Sequence, residues 1–304
     1  MKQLLILSGK GGTGKTTVAS AFIKLSEAKA FADCDVDAPN LHLIKRNFDS
    51  ETKLDYFGMD KARINPITCL GCGVCAQICR FDAIMSNPLY KVDPLSCEGC
   101  GVCERVCPNG SISMRSVQAG EMKIMRGEAV FSTAKLHMGH GTSGMLVSEV
   151  KKNLVDAAEG VDMAIIDGSP GIGCPVISSI SGVDMVLVVA EPSVSGISDL
   201  KRILDTAKIF RPSVAVCINK YDTNIELTGK IEKYCEEHGV SFLGKIPYDQ
   251  MVVSATNSGV SIVDIDSSAT VAIKQIYKQA MDQLSAMIKN KIQIGGIYEN
   301  SSGM

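Results

Sequence analysis

The chain has 304 residues, 45% of them hydrophobic and 21% charged, with 31 basic against 33 acidic residues and a net charge of −2. That length holds one large α/β domain, or a large domain carrying a small insert. The near-neutral, scattered charge excludes the clustered basic face of a nucleic-acid-binding protein. The apolar run over residues 4–7 is too short for the core of a secretory leader. No apolar stretch reaches the roughly 20 residues of a membrane span. A cytoplasmic protein is therefore expected, with no stable membrane anchoring and no nucleic-acid partner. In such a compartment twelve cysteines point to metal rather than to disulfides.

Apolar, β-branched runs alternate with helical patterns along most of the chain. In order, the sequence predicts a strand over 3–7, a helix over 15–27, a strand over 30–34 and then a break in the pattern over 65–114. A strand hairpin over 115–135 follows, with Gly120 and Gly127 as turn residues. Next come a helix over 145–158 with Ser143 as its cap, strands at 163–166 and 185–189, and a helix over 198–210. A strand at 214–218, a helix over 226–238, a strand at 240–246 and a helix over 269–289 complete the chain. Strands separated by helices imply a doubly wound, mostly parallel α/β sheet with its ligands at the carboxyl ends of the strands. Residues 1–64 and 115–304 form this domain and 65–114 an insert.

The first strand runs into Gly9-Lys10-Gly11-Gly12-Thr13-Gly14-Lys15-Thr16 and then a helix. In that setting the glycines turn backbone N–H groups around phosphate oxygens at the positive end of the helix. Lys15 reaches the β- and γ-phosphates, Thr16 ligates Mg²⁺, and Thr17 closes the set. The expected ligands are ATP and Mg²⁺.

The break contains two runs of the form Cys-x-x-Cys-x-x-Cys-x-x-x-Cys: Cys69, Cys72, Cys75 and Cys79, then Cys97, Cys100, Cys103 and Cys107. Four thiolates per cube suit two [4Fe–4S] clusters, whereas zinc sites use paired Cys-x-x-Cys with a longer gap. A segment this short cannot hold itself together by apolar burial, so bound metal would have to be its core. The second run ends Cys107-Pro108 and resembles bacterial two-cluster ferredoxins, in which the fourth Cys serves the other cluster. The resemblance implies the sets Cys69, Cys72, Cys75 with Cys107, and Cys97, Cys100, Cys103 with Cys79. The first run departs from that pattern in ending Cys79-Arg80, which places a positive charge near one cluster. Of the remaining cysteines, Cys34, Cys217 and Cys235 read as buried core thiols. His137 and His140 read as part of a plain loop.

Lys10, directly after the first glycine, resembles the deviant phosphate loop of the MinD/ParA family, which includes the nitrogenase iron protein and the Mrp-type cluster carriers. The resemblance implies a P-loop ATPase that closes as a homodimer, or a heterodimer with a paralogue, with Lys10 reaching the partner's nucleotide. Residues 33–40 resemble switch I, with Asp35 orienting the attacking water and Asn40 at a polar contact. Residues 161–171 resemble the Walker B strand and switch II, with Asp167 holding Mg²⁺ through water and Gly171 near the γ-phosphate. Asn219-Lys220-Tyr221-Asp222, after the strand at 214–218, resembles the family's base-recognition position, with Asn219 on adenine and Pro247 lining the base from the other side. Cys174 lies seven residues after Asp167, the offset of a bridging-cluster ligand in the nitrogenase iron protein. One such Cys per subunit supplies only half a cube, so a partial metal site at Cys174 stands beside plain switch II packing.

The whole resembles MinD-superfamily ATPases with an inserted ferredoxin domain. The implied function is ATP-driven dimer closure coupled to electron transfer through two clusters. It would serve a redox or metallocofactor-assembly partner, in cofactor or iron–sulfur cluster maturation. A cluster scaffold or carrier of the Mrp type is the alternative, although the Cys-Pro-x-Cys pair of those proteins is missing. A positioning ATPase is the third reading.

Overall fold

The computed structural model describes residues 1–41, 47–86 and 89–299. The first elements are β1 (Lys2–Leu7), α1 (Lys15–Leu25), β2 (Ala30–Asp33) and β3 (Phe48–Phe57). The Cys-rich stretch carries β4 (Lys61–Ile64), α2 (Val74–Ile78), β5 (Ile84–Ser86), β6 (Tyr90–Val92), α3 (Val102–Arg105) and β7 (Ile112–Arg115). Then come β8 (Gln118–Gly127), β9 (Val130–Leu136), α4 (Ser143–Ala157), β10 (Met163–Asp167), α5 (Cys174–Ile180) and β11 (Met185–Ala190). The chain closes with α6 (Val194–Phe210), β12 (Ser213–Asn219), α7 (Ile225–Glu237), β13 (Ser241–Ile246), α8 (Gln250–Asn257) and α9 (Ser268–Glu299).

Nine strands form one sheet in the order β13-β12-β11-β1-β10-β2-β9-β8-β3. The seven from β13 to β9 are parallel, and β8 and β3 add antiparallel at one edge. Helices cover both faces of the parallel part, so its strands are apolar on both sides. Leu4 to Leu7 are fully buried, which explains why this run is continuous rather than alternating. The chain enters α1 from the carboxyl end of β1, at the centre of the sheet, and this sets the site. No helix among the described residues is long and apolar enough to cross a membrane.

Four details differ from the sequence reading. Gly120 is not a turn residue: it lies inside β8, paired with Tyr56 on one side and Leu136 on the other. A Cβ there would fall 2.6 Å from the Lys135 carbonyl oxygen, so its glycine serves close strand approach. The hairpin reverses at residues 128–129, next to Gly127. Ser143 is not the cap of α4 either. That position belongs to Thr142, which sits in the left-handed region at φ 76° and makes no side-chain cap bond. Its hydroxyl is turned instead toward the Tyr56 hydroxyl, 3.0 Å away. Strand β3 is an addition, since its polar, exposed residues give no apolar alternation. Charges along such an edge discourage pairing with another chain. Helix α6 starts four residues earlier than expected, where Ser193 accepts the Gly196 N–H at 3.0 Å.

Beyond the β3–β8 ribbon, the described residues of the Cys-rich stretch form a lobe whose two small sheets stand apart from the nine-stranded one. β4 pairs with β7 and β5 with β6, both antiparallel. Its small apolar centre joins Ala62, Ile64, Ala83, Ile84 and Ile112 to the cysteines themselves.

Candidate functional site

At the carboxyl end of β1 the loop over residues 9–14 wraps onto the start of α1. Gly12 and Gly14 are left-handed, at φ 80° and 92°. A Cβ on Gly14 would lie 2.2 Å from Asn219 Nδ2, so the loop tolerates no side chain there. Lys15 Nζ is 2.5 Å from Asp167 Oδ1, and the Thr16 hydroxyl donates to Asp167 Oδ2 at 2.7 Å. Lys15 and Asp167 are both buried, which makes removal of either partner costly. The residues expected to hold phosphate and Mg²⁺ are thus brought to one point.

Asp33, at the end of β2, was not among the expected site residues. Its carboxylate accepts the N–H groups of Asp35 at 3.0 Å and of Asn40 and Leu41 at 2.8 Å each, fixing the loop that carries Asp35. Burial, with the Asp167 charge beside it, pushes Asp33 up to about 7 against the pull of those N–H groups and Lys15. Burial also raises Asp35, while Lys15 works the other way. The signal in the sequence was a strand ending in an acid, but nothing there distinguished Asp33 from Asp35. Switch II follows β10: the Gly168 N–H donates to the Ile6 carbonyl and the Gly171 N–H to that of Ser8. The Ser169 hydroxyl donates to the Cys34 carbonyl.

Lys10 is held by its own chain. Its ammonium lies 2.7 Å from Glu191 and within 3.4 Å of the Ser193 and Ser195 hydroxyls at the start of α6. On the other flank, Asn219 Nδ2 donates to the Thr13 carbonyl at 2.7 Å and Lys220 Nζ to that of Gly12 at 3.0 Å. Pro247 is half-buried in the loop after β13, beside Tyr248, whose N–H donates to Asp222. Glu191 escaped the sequence reading, and the contacts of Lys220 and Asp222 were not foreseen, because their partners lie far away in the chain.

In the lobe, the fourth cysteine of each run crosses to the other. One cavity is lined by Cys79, Cys97, Cys100 and Cys103, and Arg80 borders it. The other is lined by Cys69, Cys72, Cys75 and Cys107. The loops close because Gly71, Gly73, Gly99 and Gly101 all adopt positive φ, between 67° and 79°. Burial raises the thiols of Cys75 and Cys103. At Cys107 burial is outweighed by neighbouring N–H groups, Ser111 foremost, and the thiol is held below its ordinary range. Among the described residues no three Cys, His, Asp or Glu side chains converge on a point that one metal ion could occupy.

The lobe meets the sheet domain at the loop before α4, where Gly139 and Gly141 lie against Leu95 and Glu98, beside Cys97. Within the sheet domain, the Tyr56 hydroxyl near the end of β3 meets Thr142, at the start of α4. Helix α4 in turn holds α5 at both ends. Gly144 packs against Cys174 and Ser178, and Lys151 donates to the carbonyls of Ser178, Ser179 and Ser181. A continuous path therefore leads from switch II through α5 and α4 to the loop of the second cysteine run. Cys174 is exposed at the first residue of α5. Cys34, Cys217 and Cys235 are buried, and burial raises all three thiols, Cys217 to about 12 and Cys235 to about 11. His137 and His140 form a turn, the His140 N–H donating to the His137 carbonyl.

The sequence model of the CobQ/CobB/MinD/ParA nucleotide binding domain matches residues 4–262. An uncharacterized protein of Methanocaldococcus jannaschii is 32% identical over 286 residues, covering 91% of this chain and 95% of the relative. A protein of Pyrococcus abyssi named an iron-sulfur cluster carrier protein is 26% identical over 94% of this chain and 87% of its own length. Among solved structures, the septum site-determining protein MinD of Pyrococcus horikoshii, complexed with Mg-ADP, superimposes with a TM-score of 0.55 at 19% identity. It covers 94% of this chain and 98% of that one.

Proposed function

The chain belongs to the CobQ/CobB/MinD/ParA nucleotide-binding family, and on that premise we propose that it hydrolyses ATP to govern electron transfer through two [4Fe–4S] clusters. The observation that carries this reading is the crossed lining of two cavities by eight thiols, in a lobe that touches the loop leading into α4, the helix packed on α5. The donor set fits the group: four thiols line each cavity, the number a [4Fe–4S] cube takes. When bound, such clusters supply one-electron chemistry.

The roles of the chain's own residues follow from their positions. The N–H groups of residues 9–14 cradle the phosphates, Lys15 leaves Asp167 for the β- and γ-phosphates, and Thr16 with Asp167 holds Mg²⁺. Asp35, kept in place by Asp33, orients the attacking water. Lys10 exchanges Glu191 for the nucleotide of a partner across a closed homodimer, or a heterodimer with a paralogue. Asn219 and Pro247 meet the base. Rearrangement of switch II would be felt at the second cysteine run through α5 and α4. The electrons would go to a redox or metallocofactor-assembly partner.

A second reading, as a cluster carrier, draws on the names of several relatives and on the exposure of Cys174. One experiment separates them. Anaerobically purified protein should hold about eight irons and eight sulfides and show a shift in its redox titration on adding Mg-ATP. Lys15→Ala should keep the iron and lose the shift. Zinc in place of iron would end both readings. Eight irons with no shift, together with iron transfer to an apo-ferredoxin that Cys174→Ala abolishes, would favour the carrier.

A further inference from the structure

We propose that Lys61 is a built-in counter-cation for the second cysteine site, formed by Cys97, Cys100, Cys103 and Cys79. Its charge raises the reduction potential there more than at the first site. This rests on the cluster reading above and deepens it, since nothing in that reading makes the two sites different.

The lobe repeats itself, and its cations break the repeat. Asn65-Pro66 and Cys69 recur 28 residues on as Asp93-Pro94 and Cys97. At the same spacing, the counterpart of Lys61 is Leu89, which has no side-chain donor, and the counterpart of Arg80 is Pro108. The approach of the chain differs as well. A Cβ on Gly99, inside the second run, would fall 2.3 Å from the Asp60 carbonyl oxygen, so the segment entering β4 is pressed onto that run. At Gly71, the counterpart in the first run, nothing lies within 4 Å.

The Lys61 ammonium donates to the carbonyl of Cys97. The side chain is 8% exposed and is the one buried charged group among the described residues of the lobe. No carboxylate among the described residues pairs with it. A buried charge left without a partner is costly. The lining of the second cavity supplies no balance, because its two charged members, Arg80 and Glu98, are exposed and offset each other. Lys61 is balanced instead by an anionic group held among the four thiolates, and the match improves when that group gains an electron. The first cavity is lined by no charged residue. Its own device is smaller: the Ser111 N–H donates to Cys107 Sγ at 3.2 Å, a neutral donor where the second site has an ammonium. The site that Lys61 serves is also the one beside the loop leading into α4.

The test is an EPR-monitored redox titration of the full chain, purified anaerobically, with the two steps assigned by Cys100→Ser, which perturbs the second site. Lys61→Met should lower the potential of the second site, shifting its reduction equilibrium by roughly threefold or more, and move the first site less. Lys61→Arg, which keeps the charge, should restore the original value. Loss of second-site iron in Lys61→Met but not in Lys61→Arg would equally support the counter-charge. An unchanged potential, an equal shift at both sites, or the same loss of iron in both variants overturns the proposal. Zinc in place of iron in the unsubstituted chain would remove the cluster reading and this proposal together. Iron present, with the potential unmoved by Lys61→Met, removes the proposal alone.

Discussion

The sheet domain and the cysteine lobe are folded by different means. In the sheet domain, β1, β10 and β11 are lined with side chains sealed from water on both faces, and two apolar cores lie between the sheet and its helices. In the lobe the apolar centre is a handful of residues around thiols, while Ile67, Leu70 and Met85 are 91%, 68% and 60% exposed. A segment of this size buries too little surface to offset its chain entropy. The first region makes its own stability; on the proposed reading the second borrows it from what its cysteines would bind and from the ribbon that carries it.

Removal of iron should produce the largest effect and test this contrast directly. In hydrogen exchange, chelated protein is expected to lose nearly all amide protection over residues 61–115, while β1, β10, β11 and α4 stay protected. Uniform loss across both regions would show that the sheet domain depends on the lobe. Next in size are truncations at matched positions. Ile166→Ala, in the sheet core, should cost about 2–5 kcal/mol in urea unfolding with little change in iron retention. Ile84→Ala, in the lobe, should cost less in global stability and show instead as faster iron loss to a chelator. Equal behaviour of the two would erase the distinction.

Asp33 gives a pH test confined to the sheet domain. Its folded-state value, about 7, lies above that of an unfolded aspartate, about 4. Between these values the folded chain holds a proton that the unfolded chain has released, so stability should fall as pH rises from about 4 to about 7. Measured from pH 5.5 upward, Asp33→Asn should remove most of that slope while lowering stability throughout, because its amide faces N–H donors. The smallest expected effect is inside the sheet domain, where β3, the strand that leads into the lobe, meets the start of α4. Tyr56→Phe removes the hydroxyl contact with Thr142 and should cost about 0.5–1.5 kcal/mol. If α4 carries switch movement to the lobe, the same variant also reduces the ATP-dependent redox shift; an undiminished shift would place the coupling elsewhere.

The parallel strands, the phosphate loop and the cysteine runs were legible because each is a local pattern. Buried strands read as apolar runs, the loop is a fixed spacing of glycines and lysine, and the cysteines repeat with one period. The edge strand β3 was not legible, because a polar strand solvated on its outer side has no periodic apolar signal. Gly120 looked like a turn residue because glycine marks both turns and close strand contacts, and only the neighbouring strands tell which.

By itself the sequence determined the fold class, the family and the two sets of chemically equipped residues. Those properties depend on residue type and short-range spacing. Tertiary structure decided what these residues face. It set Lys10 against Glu191, put Asp33 in charge of the loop carrying Asp35, and joined Asp222 to the loop after β13. It also laid the second cysteine run against the loop that leads into the helix holding α5. Except for the local bonds of Asp33, these contacts join positions apart in the chain, and their partners are fixed by sheet order and helix packing rather than by any local pattern.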